Sequence, residues 1–582
     1  MAKTIIILIS ISFILHNSYA QNHDYIWMMG YKSSSTNPDL GGITIDFNGN
    51  TPSIYQEDRE MNINATFSSF SDSTGNIFAY TDGTYIANAV DELMENGDSI
   101  NPGPIAYELT GGGYTLPQSA FYLLAPNHPN LVYLFHLKID YHQTLGLQIS
   151  TLYYTLIDRE ANNGLGKVVV KNQELLNDEF LGTLSAVKHA NGRDWWIICS
   201  ENLKNKYFTL LLTPDDIVPV FNQEMLPEID EWTNGTIVIS PDGTKLIRYE
   251  VPLLDRVYIY DFDRCTGELS DNISFSVPNL TSGSGTSISP NSQYLYITSR
   301  EHIYQFDLWA DDIEASKEVV AIYDGYQSPI ASTFFLSQLG PDGRIYANCT
   351  NGENVLHAIQ YPNKAGEACE VRQHSVQLPT YNAFTMPHFP NYRLGALDGS
   401  PCDTLGIDND PLAGFRYESD SLNNFLVEFT DNSFYEPTDW LWDFDDNGAT
   451  STEVNPLHEF LENGIYNVCL TVSNQYSSDV FCREVELILD DATNIAVPNF
   501  EISIYPNPIQ KEFTVFSSEY LKKDSDMIFY NQLGQEMAKF SLEKGEQVHN
   551  FSLEGVANGI YFYSVFQKEQ LIGNGKIVVG RE

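Results

Sequence analysis

Basic residues are scarce. The 582-residue chain carries 31 Lys and Arg against 77 Asp and Glu, a formal net charge of −46. A polyanion of this kind repels nucleic acid and anionic membrane surfaces, so neither is expected as a partner. The acidity reads as solubility outside a cell; divalent-cation binding at clustered carboxylates is the sharper reading. Only 19% of residues are charged, while Tyr (35), Phe (32) and Gly (39) are plentiful. That balance favours strands and turns over long surface helices. Past the first twenty residues no apolar run approaches the roughly 18 needed for a transmembrane helix. No C-x-x-C pair occurs, which removes a zinc ribbon and a thioredoxin-like redox site. None of the twelve His falls in H-E-x-x-H spacing, and there is no G-x-S-x-G nucleophile elbow. Gly111 to Gly113 lack the Lys and the strand–helix context of a phosphate loop and read as a turn. No catalytic residue is assigned from these motifs.

What is present begins with MAKTIIILISISFILHNSYA. One Lys, an apolar run from Ile5 to Leu15 and the small-x-small Ser18-Tyr19-Ala20 make residues 1–20 a secretory signal peptide. Gln21 is the expected mature N-terminus, and no Cys follows it to carry a lipid anchor. Seven Cys in an exported chain permit disulfides, and the odd count leaves at least one thiol free or paired outside the chain. The sequence does not pair Cys199, Cys265, Cys349, Cys369 or Cys402.

ISPDGTKLIR, ISPNSQYLYI and LGPDGRIYAN echo one another, with Pro241, Pro290 and Pro341 spaced 49 and 51 residues apart. Each reads strand, turn, strand: Pro presets φ, Asp or Asn caps the turn, and Gly accepts the left-handed position. SDSTGNIFAY, APNHPNLVYLF and HANGRDWWII are weaker upstream echoes, and Tyr25 to Gln56 supplies one more unit. The expectation is an all-β chain whose residues 22–396 form a β-propeller of about seven blades. These turns resemble those of WD-repeat-like and YVTN-type propellers, without the GH and WD signatures. DFDRCTGELS with SPNSQYLYITS and QFDL resembles a propeller family of exported Bacteroidetes proteins.

SPCDTLGIDNDP reads as a linker, 397–411. Residues 412–490 then alternate as short strands, with Phe425, Val427 and Phe429 on one face, Trp440, Trp442 and Phe444 on another, and Tyr466, Val468, Leu470 and Val472 on a third. This is the pattern of a small Ig-like sandwich. WDFDDNGATSTEVNPLHEFLENGIYNVCLTVSN is similar to the polycystic-kidney-disease (PKD) repeat. Its turn is one residue longer than the family's WDFGDG, and Phe460 stands where Tyr is usual. Asp443, Asp445, Asn447 and Gly448 fit the start of a calcium loop, but Val454 stands at the twelfth position and WLWDF is a strand pattern. Asp443, Asp445 and Asp446 therefore remain a candidate for a weak, exposed Ca²⁺ site only, and no other cofactor is expected. Cys469 and Cys482 alternate outward on two strands of one hairpin and are expected to pair.

After a second linker, 491–498, residues 499–582 form a last β-sandwich. They carry Tyr505-Pro506-Asn507-Pro508, the Leu533-Gly534-Gln535 turn, Gly559-Ile560-Tyr561 and Gly575-Lys576-Ile577-Val578. This order resembles the type A C-terminal sorting domain of the type IX secretion system. The resemblance implies export through that machinery, as a partner, to the surface or the medium. Two weaker candidates complete the reading: His136, Asp140 and His142 share strand parity, and Asp261, Asp263 and Asp307 suit turn capping at strand ends or a propeller channel. Three functions follow from the modules. One is a secreted or surface recognition protein, its propeller binding an extracellular glycan or protein with the PKD module as spacer or accessory binder. The others are a propeller enzyme, such as a metal-dependent lactonase or a polysaccharide lyase, and a structural adhesin.

Overall fold

The structure is a computed structural model. It describes residues 21–580 except 35, 110–111, 115, 145, 203, 227–234, 251–254, 278–284, 329, 351, 383, 421–422, 424, 488–501, 507–508, 518–520, 522, 532–534, 554 and 568–569. The signal peptide, the linker 491–498, Gly111, Asn507, Pro508 and Gly534 lie outside the described residues. By chain contact the protein divides into two units, 1–417 with 429–456 and 467–483, and 418–428 with 457–466 and 484–582.

In the first unit the repeats build a propeller. Three sheets of four antiparallel strands run in sequence order, with inner strands Thr236–Ile239, Gly285–Ile288 and Phe334–Leu339. Two three-stranded sheets start at Ile26–Gly30 and Ser68–Ser71. Between these and the four-stranded sheets in sequence lies a seven-stranded sheet that is two blades sharing one strand, Lys167–Lys188. Its first part, to Leu181, pairs with Gly146–Asp158, and its last part pairs with Trp195–Glu201. The described residues thus make seven blades. The last packs against the first: the ring of Tyr346 meets Trp27 at 5.7 Å and Phe47 at 5.8 Å. Thr380 Oγ1 donates to Gly41 O at 3.0 Å. Closing the ring in this way leaves no open face between terminal blades.

The echoed turns are the hairpins between the first and second strands of blades five, six and seven. Gly243 N donates to Ser240 O (2.7 Å), Ser292 N to Ser289 O (2.8 Å) and Gly343 N to Gly340 O (3.0 Å). The donors have φ of +74°, +62° and +78°, so Gly is required by the backbone in two turns and Ser292 tolerates the same conformation in the third.

The same unit holds most of one PKD sheet, strand order Thr450–Ser451, Asp439–Asp443, Gly464–Ser473, Ser478–Leu487. Trp442 is fully buried, with Phe415 at 5.0 Å and Phe429 at 5.4 Å from its ring, and its indole N–H donates to Glu453 O at 2.8 Å. The alternation read for Val468, Leu470 and Val472 is the observed buried face. Cys469 and Cys482 lie on the opposite face and are joined as a disulfide.

The second unit contains the C-terminal sandwich. One sheet is Ile502–Tyr505, Glu512–Ser517, Val548–Ser552; the other is Glu536–Leu542, Ser525–Tyr530, Gly559–Gln567, Gln570–Val579. Tyr505 and Pro506 end an edge strand, where Pro costs no ladder bond. Tyr561 is buried opposite Ile577, and exposed Lys576 sits opposite Phe562. Gly575 faces Tyr563; a Cβ there would come within 2.7 Å of that ring. Ile509 N donates to Val578 O at 2.8 Å, so the segment after the YPNP motif is tied to the terminal motif.

Candidate binding cavity

The three echoed turns rim a cavity of about 680 Å³ at one mouth of the propeller channel. Their acidic or amide side chains hold the turns in shape. Asp242 Oδ1 accepts Thr244 N (3.0 Å) and Ser240 Oγ (2.5 Å), Asn291 Oδ1 accepts Gln293 N (3.1 Å), and Asp342 Oδ1 accepts Arg344 N (3.2 Å). Inner strands carry hydroxyls that pair between blades, and Thr286, Ser287 and Ser337 among them line the cavity. Thr236 and Thr286 are 3.0 Å apart, and Ser287 Oγ donates to Ser337 Oγ at 2.7 Å.

One wall is the chain that follows the last blade. Asn391 Nδ2 donates to Pro241 O at 2.8 Å, and the Tyr392 hydroxyl to Tyr122 O at 2.8 Å. Next to them Gln118 bonds both ways with the backbone of Ile237, at 3.0 and 2.7 Å. His388 lies beside Gln118, and burial lowers its imidazole to about 4. It is neutral at physiological pH.

The roof is a PKD loop, residues 431–436 with 454–455. Asn432 Nδ2 donates to Asp342 O at 2.9 Å. Arg393 donates through both terminal nitrogens to Asp24, each at 2.6 Å, and lies 4.7 Å from the Phe434 ring. Burial opposes the charge on Arg393, but the Asp24 carboxylate outweighs it and holds the guanidinium ionised. Arg264 donates to Lys188 O at 2.9 Å and also to Gly395 O; burial lowers it to about 10. Asp431 takes Ser433 Oγ at 2.6 Å, and burial raises its carboxyl. The segment 397–411 is also docked: Leu397 N donates to Ala190 O at 2.8 Å, and Asn474 Nδ2 to Asn409 O at 2.6 Å.

The other sequence candidates go elsewhere. His136 is a buried core residue bonded at both ring nitrogens, to Asn101 Oδ1 (2.7 Å) and Thr155 Oγ1 (2.9 Å). The register shift at Lys138/Ile139 skips Ser150 of the partner strand and leaves the alternation intact, but His136 is buried whereas Asp140 and His142 are only half-buried. Asp140 pairs with Lys138 at 2.7 Å. Asp263 Oδ1 accepts Cys265 N (2.7 Å) and Asp307 Oδ1 accepts Trp309 N (2.9 Å), both as turn caps; Asp261 pairs with Lys245 at 2.7 Å. In the PKD turn Asp443 accepts the amide of Asp445 (3.0 Å), Asp445 that of Asn467 (3.1 Å), and Asp446 is buried. Among the described residues no group of three or more His, Cys, Asp or Glu is gathered to hold a metal ion, so no step is derived through Ca²⁺. The cavity residues Asp24, Arg393 and Asn432 carry no local sequence signal.

Residues 416–487 match the PKD domain family, and residues 503–580 match the secretion system C-terminal sorting domain family. The chain is a cargo of type IX secretion. The sorting domain directs it to the cell surface or outside, and Tyr505, Pro506, Gly559, Tyr561 and Lys576 lie within the matched span. Among curated proteins none matches the chain. Solved structures similar to it include a protein from Lactobacillus plantarum (13% identity, 62% of this chain and 98% of that one, TM-score 0.37) and a periplasmic gluconolactonase from Pseudomonas aeruginosa (12%, 61% and 97%, TM-score 0.37). The propeller assignment rests on the seven blades of the structure itself. No helix among the described residues is long and apolar enough to cross a membrane.

Proposed function

We propose that this secreted protein is a non-enzymatic recognition protein that takes one end of a neutral glycan into the cavity, with the PKD loop as its roof. The observation that carries this reading is the composition of the cavity. Its volume falls in the range of small-ligand sites, roughly 300–1,000 Å³. Paired hydroxyls and turn carbonyls offer exchangeable hydrogen bonds of the kind sugar hydroxyls make, and Phe389 and the rim prolines offer apolar surface. Asp24, Asp242 and Asp431 are already committed to Arg393 or to turn groups, so they shape the site rather than act as acid, base or nucleophile. The net charge of −46 disfavours anionic glycans. A glycan array probed with the full mature protein tests the reading. Binding to neutral oligosaccharides is expected; turnover of a sugar lactone or a polysaccharide, without retained glycan, would replace it with an enzyme.

A further inference from the structure

Export places the chain in an oxidising environment, where exposed neighbouring thiols do not stay reduced. Apart from the Cys469–Cys482 disulfide, five cysteines are free thiols in the structure. Cys199, Cys349 and Cys369 are buried, and burial raises all three thiols, that of Cys199 to about 12 and that of Cys369 to about 11. They are inert packing residues. The two that solvent reaches, Cys265 and Cys402, are 137 residues apart in sequence and meet in space.

Both sit on turns that are fixed to the same point of the propeller. Ala190 N donates to Arg264 O at 3.0 Å, and Ala190 O accepts Leu397 N at 2.8 Å. On one side, Gly267 closes the Cys265 turn by donating to Asp263 O at 2.7 Å, and it packs so closely on Trp196 that a Cβ would come within 2.9 Å of the ring. On the other, Asp403 N donates to Ser400 O at 3.1 Å and Gly399 N to the Asp403 carboxylate at 3.1 Å. Across the gap Cys265 Sγ donates to Ser400 Oγ at 3.7 Å. Partial desolvation and the neighbouring Cys265 thiol raise the Cys402 thiol.

We propose that Cys265 and Cys402 form a second disulfide in the exported protein, clamping the segment between propeller and PKD domain onto the fifth blade. The oxidant is a protein disulfide of the thiol–disulfide oxidoreductase class. One cysteine, as thiolate, attacks a sulfur of that disulfide, forming a mixed disulfide and releasing one oxidant thiol. The other cysteine attacks its partner's sulfur, the Cys265–Cys402 bond forms, and the second oxidant thiol leaves. Two electrons pass to the oxidant, and the two cysteine protons balance its two new thiols. The closed loop contains blades six and seven and the cavity wall around Asn391 and Arg393, so oxidation after export fixes that wall against the fifth blade. The pairing stands on the contact between the two turns and on the compartment, independent of what the cavity binds.

The test is thiol mapping of the secreted full-length protein. Denaturation in an alkylating reagent without reductant is expected to modify three cysteines, Cys199, Cys349 and Cys369, and to leave a Cys265–Cys402 peptide pair that separates on reduction. Five modified cysteines, with Cys265 and Cys402 among them, overturn the proposal. In Cys402→Ser, Cys265 is expected to become alkylatable in the native protein, whereas in the parent it is not. Native labelling of Cys265 in the parent also overturns it, and if the variant fails to accumulate, the mapping of the parent decides alone.

Discussion

Asn432 of the PKD loop donates its side-chain amide to the carbonyl of Asp342 in the seventh blade, at 2.9 Å. The bond joins the roof of the cavity to one of its rim turns. The neighbouring Gly343 makes the approach feasible: its φ is +78°, and a Cβ would come within 2.8 Å of Asn432 Oδ1. Asn432→Ala is expected to cost about 1 kcal/mol, the worth of one such bond. Gly343→Ala is expected to cost more, since it adds left-handed strain to the clash. Limited proteolysis in the 397–411 segment reads both; resistance equal to the parent in each variant would show that this contact does not hold the roof.

Acid should loosen the propeller before it titrates the surface. Burial lowers His136 to about 3 and His23, His357 and His388 to about 4, from a usual 6.5. Between those values the unfolded chain binds protons that the folded chain refuses. Their contribution to stability is therefore complete above pH 6.5 and is lost progressively as the pH falls toward 4. Urea midpoints are expected to hold level from pH 8 to 7 and to drop below 6.5. His136→Gln, which keeps hydrogen-bonding groups for Asn101 and Thr155, should flatten part of that drop; an unchanged slope would contradict the assignment.

The Cys469–Cys482 bridge closes a loop of 13 residues on the outer face of the PKD sheet. Chain-entropy reasoning gives a bridge of this size about 3 kcal/mol at most. The double Ser variant should lower the melting temperature measurably while leaving Trp442 buried, as its fluorescence would report.

Removal of Glu501 to Glu582 should strand the protein in the periplasm, with its surface and medium fractions falling to background. Gly575→Val should do the same through folding, because its side chain meets the Tyr563 ring at under 3 Å. Normal export of the truncation would refute the sorting role of the tail.

Local chemistry was legible in the sequence, and long-range closure was not. Pro241, Pro290 and Pro341 revealed their blades because a turn is specified by four or five adjacent residues. The alternation through Trp442 and Val468 to Val472 gave the PKD core for the same reason, and outward parity was enough to pair Cys469 with Cys482. Lys167–Lys188 hid a boundary between two blades, since repeated register shifts interrupt its alternation. His136 does not join Asp140 and His142 because it is buried and bonded to Asn101, 35 residues away, a contact that strand parity does not encode. Arg393 and Asp24, 369 residues apart, meet only because the ring closes and the chain then crosses its mouth. That the echoed turns gather at the rim of one cavity follows from the ring, which no single repeat encodes.

The most direct test of the account is the affinity of a neutral oligosaccharide, taken from the array, for the parent protein and for Ser337→Tyr. Ser337 lines the cavity on the inner strand of the seventh blade and pairs with Ser287. A Tyr there fills the space that the sugar would occupy. The account predicts a loss of at least about tenfold in affinity, or about 1.4 kcal/mol, with export and melting temperature close to the parent's. Equal affinity in the two proteins would contradict recognition through the cavity.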